Sequence, residues 1–359
     1  MKKEKLMVTM FFSLILVLPL SYVWIDDYVD TNNYENRDLY QFPLHTNNLR
    51  EFFTEFEKFF NDRLPYKNQF TKLNSIINYK IFNCIESDNV LLGDDNWLFY
   101  KSTNDGNSLA DYQGTNHFNN KQLNLISERL SDYKETLQTK DIDFVLFIAP
   151  NKEQIYSAFM PTYINVINDT SRTDALVEYL KQGNNIKVVY PKKELEEASK
   201  VNLTYYKTDT HWNNYGGMVG AYALLKEITE VEIENIELAI NELEYSGDLS
   251  KMVRLESQLF DSNIPIIKGY KDEVLVENTY VSDDTYVHHF ISNSNNEKKI
   301  LVIRDSFGTA MFEPISKSFS ESLFIHRNAY SQEIIDEFNP DIVVYETVER
   351  YVDYIFNLK

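Results

Sequence analysis

Residues 298–311 read KKILVIRDSFGTAM, and the fold follows from how this stretch is parsed. Four apolar residues, Ile300 to Ile303, stand between two lysines and Arg304-Asp305-Ser306. Such a run predicts a short strand buried on both faces. Phe307 and Gly308 then turn the chain. In open α/β sheets, ligands bind beyond the carboxyl ends of the strands. A serine there, entering a turn or helix, lies beside backbone N–H groups and a helix N-terminus, both able to stabilise an oxyanion. Ser and Asp are equally the residues that cap helix starts. The strand alone leaves Ser306 open between nucleophile and cap.

Working outward, short apolar runs alternate with amphipathic segments. IDFVLFIAP (142–150), NIKVVY (185–190), ESLFIH (321–326) and PDIVVYETV (340–348) predict strands. The segments at 122–140, 172–183, 215–229, 331–338 and 349–356 carry apolar residues at helical spacing. This alternation predicts an α/β fold with a mainly parallel sheet. NVLLGDDNWLFYKS (89–102) has the pattern of a hairpin turning at Gly93–Asn96. Residues 229–297 do not alternate cleanly and are expected to form an insertion. Residues 48–82 predict a helical stalk divided at Pro65. The expected organisation is an anchor at 1–25, a linker and stalk at 26–85, and a catalytic domain at 86–359.

The chain has 359 residues, 43% of them hydrophobic, enough for a packed core and too many for wholesale disorder. Its formal charge of −20 repels phosphate backbones and argues against non-specific nucleic-acid binding. Residues 6–25 carry no charge, follow three lysines and precede Asp26-Asp27. That length spans a bilayer, and the lysines keep the short N-terminus inside. A cleaved signal peptide is the rival, although no small-x-small cleavage site follows the run. Either way the domain is expected outside the cytoplasm. The one cysteine, Cys84, excludes an intrachain disulfide and reads as a buried structural thiol.

KTDTHWNNYGG (207–217) supplies what Ser306 lacks. In an extended segment Asp209 and His211 point to the same side. A carboxylate can then orient an imidazole whose other nitrogen takes a proton from serine. The triad order is Asp, His, Ser. A zinc site is the competitor, with Asp209, His211 and the His288-His289 pair as ligands. Adjacent histidines on a strand face opposite ways, so no metal and no cofactor are expected. Asn151 and Lys152 follow another strand. Asn151 could complete an oxyanion hole and Lys152 could contact substrate; a plain turn with a solvated lysine reads as well. Trp212 reads as a plug beneath the histidine ahead of a sugar-stacking face. Asn213 and Asn214 are expected to cap a helix starting near Tyr215. Gly216 and Gly217 permit close packing. Tyr215 and Arg304 complete the candidate substrate and oxyanion residues.

DTHWNNYGG followed by DSFG resembles the SGNH-hydrolase-like O-acetyltransferases of exported polysaccharides, the alginate O-acetyltransferases and their Gram-positive relatives of the DHHW group. DNWLFYKS ending at Ser102, APNKEQIYSAFMP (149–161) and VVYETVERYV (343–352) agree, in order, over roughly residues 90–355. The resemblance implies a three-layer α/β/α fold with permuted motifs. It implies Ser306 as nucleophile, His211 as base and Asp209 as its orienter. It implies an acetyl-serine intermediate and transfer to a glycan hydroxyl, with a membrane-bound O-acyltransferase partner delivering the acetyl group. The expected location is the cell membrane of a Gram-positive bacterium, single-pass, with the catalytic domain outside. Arg304 stands where a Gly-Asp-Ser block would have glycine. No carbohydrate-binding module is expected beyond Lys359, so glycan recognition falls to the domain or a partner. An acetylesterase with the same triad, and a non-catalytic glycan-binding or assembly protein, are the alternatives.

Overall fold

The computed structural model describes residues 6–14, 39–46, 48–64, 66–183, 186–229, 237–269, 273–281 and 286–358. Its strands are β1 (Val90–Leu92), β2 (Leu98–Tyr100), β3 (Asp143–Ala149), β4 (Lys187–Val189), β5 (Glu237–Asn241), β6 (Ile264–Lys268), β7 (Val276–Val281), β8 (Val287–Ser292), β9 (Lys299–Arg304), β10 (Glu321–His326) and β11 (Ile342–Val348). The main sheet has the order β4-β3-β11-β9-β10-β8-β7. From β4 to β10 all pairs are parallel, whereas β8 joins β10 and β7 in antiparallel fashion. The sheet is therefore mixed. The stretch 229–297 supplies β5 to β8, of which β7 and β8 extend this sheet.

Alternation of side chains explains why the central strands are continuously apolar. Ile300 and Val302 of β9 join Val145, Phe147 and Val344 in a core with Trp212, Met218 and Leu224. Leu301 and Ile303 face the other way, with Phe144, Leu146 and Val343, onto Ile126, Leu130 and Leu176. The helices Asn120–Gln138 and Arg172–Gly183 thus cover one face and Asn214–Ile228 the other. The chain segment 349–356, expected as an α-helix, is a 3₁₀ helix, Glu349–Asn357. The hairpin β1-β2 closes over Gly93, whose added Cβ would meet the Phe159 carbonyl at 2.3 Å. Because β3, β11, β9 and β10 run parallel, Asn151, Glu349, Ser306 and Arg327 all follow strand ends on one edge of the sheet. This edge holds the site.

A second compact unit comprises residues up to 86 with 251–258. Its helices include Leu49–Asp62, capped by Asn48 through Glu51 N–H, and Lys67–Phe82. Pro65 itself lies outside the described residues. Phe42 packs edge-on against Phe52, Phe56 and Phe59. Cys84 is half-buried rather than buried, its thiol 3.8 Å from the Asn78 carbonyl, because it lies just past the helix end. Residues 6–14 are helical, and the rest of the expected anchor, 1–5 and 15–25, lies outside the described residues. Among the described residues no helix is long and apolar enough to cross a membrane.

Candidate active site

Ser306, His211 and Asp209 form one hydrogen-bonded chain across 95 residues of sequence. Ser306 Oγ lies 2.8 Å from His211 Nε2. His211 Nδ1 lies 2.7 Å from Asp209 Oδ1. Ser306 is exposed, His211 partly so, and Asp209 buried. The gradient from exposed hydroxyl to buried carboxylate is one that would suit an imidazole accepting a proton while held in orientation.

Asp209 and His211 meet through a tight turn, not along an extended strand as the spacing suggested. The His211 backbone N–H donates to Asp209 Oδ1 at 3.0 Å, so the side chain itself closes the turn. A bridge between Tyr205 and Trp212 pins the base of this loop. The second oxygen, Asp209 Oδ2, accepts from the Tyr245 hydroxyl (2.7 Å) and Asp248 N–H (3.0 Å). Burial alone would raise the Asp209 carboxyl. The hydrogen bonds and charge of His211, with Tyr245, outweigh it and hold the group well below the ordinary carboxylate value. Burial, then Asp209, push Tyr245 far above the ordinary phenol value, so it stays a donor.

Lys152 was a candidate for substrate contact, but its ammonium is buried and turned to the loop. It donates to the carbonyls of Asp209 (2.7 Å), Tyr206 and Lys207 (both 3.2 Å). Burial lowers it to about 8, against the pull of Glu153 and Asp248. The loop is held on its flank by two more carboxylates. Asp261 accepts from Lys207 and Thr208 N–H and the Thr208 hydroxyl. Asp248 accepts from Thr210 N–H and hydroxyl at 2.8 and 2.6 Å. Burial and the nearby Asp209 raise Asp248. Asp209, His211 and Asp248 bring ligand-type atoms within 4.8 Å of one another. Each of these atoms already has a protein donor or acceptor, which explains the cluster without an ion. The His288-His289 pair takes no part. His289 Nε2 bonds Glu321 Oε1 at 2.8 Å, and His288 stacks among Phe290 and Phe312.

The serine turn is set by the residue before it. Asp305 Oδ1 accepts Phe307 N–H (2.9 Å), and Oδ2 accepts Val348 N–H (2.8 Å) from β11. Asp305 N–H donates to Glu346 Oε2 at 2.9 Å. Glu346 is fully buried; burial first, then Asp305, raise it well above the ordinary carboxyl value. Arg304 is buried, donates to the Asp305 carbonyl and stacks on Phe312. It supports the turn from below. Gly308 packs closely against Arg304, since an added Cβ there would meet the Arg304 Cβ at 2.8 Å.

Trp212 is the plug: it is buried, and its indole donates to the Phe307 carbonyl at 2.9 Å. The Asp209–His211 loop and the Ser306 turn are thus tied together beneath the three side chains. Asn213 alone caps the following helix, accepting Gly216 N–H at 3.0 Å and donating to Leu203 O at 2.7 Å. Asn214 is its first residue, and Tyr215 is buried in its first turn. Asn151 is also buried, its N–H used by Glu349 Oε2 at 2.9 Å, so that N–H is not available to an oxyanion. Burial raises Glu349 to about 7, against the Asn151 hydrogen bond. Tyr245, Asp248 and Asp261 were not found from sequence, because they come from the irregular stretch 229–297. Glu346 and Glu349 were hidden as ordinary-looking charges at the end of a strand.

The profile of a family described as "SGNH hydrolase-like domain, acetyltransferase AlgX" matches residues 90–272, which include Asp209 and His211 and end before Ser306. Two relatives named probable alginate O-acetylase AlgJ, from Pseudomonas putida and Azotobacter vinelandii, are 27% and 24% identical over 218 and 219 residues. Those alignments cover 58% of this chain and 53% of each relative, so the chain spans about half the length of the curated relatives it matches. Bacillus cereus PatB1 has a similar fold, with TM-score 0.53 at 18% identity over 76% of this chain and 100% of that one. A DHHW family protein from Eubacterium siraeum gives TM-score 0.54 at 15% identity over 74% and 92%.

Proposed function

The chain belongs to the family of SGNH hydrolase-like domains typified by the acetyltransferase AlgX, and from that premise we propose that it is an extracytoplasmic serine O-acetyltransferase acting on a glycan. The single observation that carries the proposal is the continuous Asp209–His211–Ser306 chain ending in an exposed hydroxyl. Ser306 Oγ attacks the acetyl carbonyl of a donor as His211 Nε2 takes its proton. Asp209 keeps the Nδ1 proton in place and stabilises the imidazolium. Phe307 N–H is taken by Asp305 Oδ1, so support for the oxyanion falls to the other backbone N–H groups of the Ser306–Gly308 turn. Collapse expels the donor's leaving group, which His211 protonates, and acetyl-Ser306 remains. A sugar hydroxyl, deprotonated by His211, attacks the acetyl carbon and restores the serine. The names of the AlgJ relatives support a polysaccharide acceptor.

The exposure of Ser306 favours one alternative, an acetylesterase in which water takes the acyl group. Purified protein incubated with 4-nitrophenyl acetate, with and without glycan, separates the two: release of acetate unchanged by any glycan refutes transfer. Ser306→Ala should abolish turnover, as well as labelling by phenylmethylsulfonyl fluoride. A structure of PatB1 is described as carrying a sulfonyl adduct, which supports the choice of probe. The uncharged run at 6–25 supports a single-pass membrane anchor with the domain outside the cell, and such a placement fits a membrane-bound O-acyltransferase as donor partner. Recovery of the full chain in the soluble cell fraction would refute that placement.

A further inference from the structure

A cavity of about 360 Å³ opens at the carboxyl ends of β9, β10 and β11, on the sheet face opposite Trp212. The triad does not use it. Tyr330, Tyr345 and Tyr354 give it aromatic walls, and Asn328, Asn357 and Arg327 supply polar groups. Among the described residues no carboxylate lines it, in a chain whose net charge is −20, so the site is not one for a cation. Nor is it built for a phosphate. The Arg327 guanidinium is already held over the rings of Tyr351 (4.7 Å) and Tyr354 (4.1 Å), with Asp305 Oδ2 at 3.5 Å. Aromatic faces beside amide side chains match a sugar ring, whose C–H face stacks while its hydroxyls bond the amides.

A ladder of alternating cations and rings joins this cavity to the nucleophile turn. Arg350 lies over Phe307, the residue after Ser306, at 5.4 Å and over Tyr351 at 4.9 Å. Arg327 continues it from Tyr351 to Tyr354, which is 44% exposed. We propose that the cavity is a glycan subsite holding one pyranose ring of the polymer, away from the sugar that reacts. The proposal takes its ligand class from the glycan reading above but does not depend on Ser306 chemistry.

The test uses the full chain carrying Ser306→Ala, which binds without turning over. Isothermal titration with cellohexaose, chitohexaose and an alginate hexamer asks whether a neutral or a carboxylated chain is preferred. At least one should bind, and Tyr354→Ala should weaken that binding about tenfold, the loss of one stacking face. Asn357→Ala is an independent exposed substitution and should weaken it in the same direction. Failure of all three sugars to bind below about 10 mM overturns the proposal, as does unchanged affinity in both variants. If the sugars bind but wild-type protein neither hydrolyses 4-nitrophenyl acetate nor takes up the sulfonyl label, the subsite stands and the catalytic reading falls.

Discussion

Asp209→Asn tests the relay most directly, because both carboxylate oxygens are committed. Oδ1 accepts two N–H groups of His211, and Oδ2 accepts the Tyr245 hydroxyl and Asp248 N–H. An amide offers one acceptor oxygen and one NH₂ donor. With its oxygen toward His211, the NH₂ meets the Asp248 N–H. Flipped, the NH₂ meets the His211 backbone N–H and leaves Nδ1 without an acceptor. The imidazole then carries its proton on Nε2 and donates to Ser306 instead of accepting from it. In serine proteases this change of tautomer costs roughly 10⁴ in kcat, and a loss on the order of 10³–10⁴ is expected here. That corresponds to about 4–5.5 kcal/mol of transition-state stabilisation. Stability should fall by about 1.5–3 kcal/mol, one charge-assisted hydrogen bond.

The sign of the pH dependence is set by the depressed Asp209 carboxyl. Its contribution is fully present above the unfolded value of about 3.9 and is lost as pH falls toward the lower folded value. The stability gap between wild type and Asp209→Asn should therefore be constant near neutrality and close below about pH 4. The assays are hydrolysis of 4-nitrophenyl acetate and denaturant unfolding followed at several pH values. A variant that folds and keeps more than about a tenth of wild-type kcat would refute the relay, since loss of tautomer control predicts a far larger fall.

Gly217→Ala should push the helix Asn214–Ile228 off the nucleophile turn, because the new Cβ would lie 2.3 Å from Ala310 Cβ and 2.7 Å from its carbonyl. A fall in kcat exceeding the change in KM is expected, with a lowered Tm. Tyr245→Phe removes one of the four donors to Asp209 and should lower kcat about tenfold with KM unchanged, the cost of one hydrogen bond to a charge. Glu346→Gln should be tolerated, because the amide oxygen can still accept from Asp305 N–H and burial already disfavours the charged carboxylate. Its raised value means that wild type loses stability as pH rises from the unfolded carboxyl value toward the folded one, and the glutamine variant should lack that slope. A Glu346→Leu protein, which leaves Asp305 N–H without its acceptor, should be less stable and slower.

The apolar runs IDFVLFIAP, KKILVIRDS and PDIVVYETV were legible as strands because both of their faces are buried, and burial on both faces demands uninterrupted hydrophobicity. β8 was not, since it lies only partly buried between β10 and β7, and such a strand tolerates the polar VHHFIS. Ser306 and the Asp209-His211 pair were legible because each sits in a compact motif at a strand end or turn. Lys152 misled: a lysine after a strand reads as solvated, and only the fold reveals three carbonyls converging on it.

By itself, the sequence determined the alternation that makes an α/β sheet, the order Asp, His, Ser, and the residue types able to do acyl transfer. These depend on local patterns, on which neighbouring residues act directly. The tertiary structure decided what lies near what: that His211 and Ser306 come within 2.8 Å, that Tyr245 and Asp248 complete the Asp209 carboxylate, and that Trp212 ties the two halves together beneath them. Those contacts join segments tens of residues apart. Their geometry comes from the parallel register of β3, β11, β9 and β10, which no local pattern encodes.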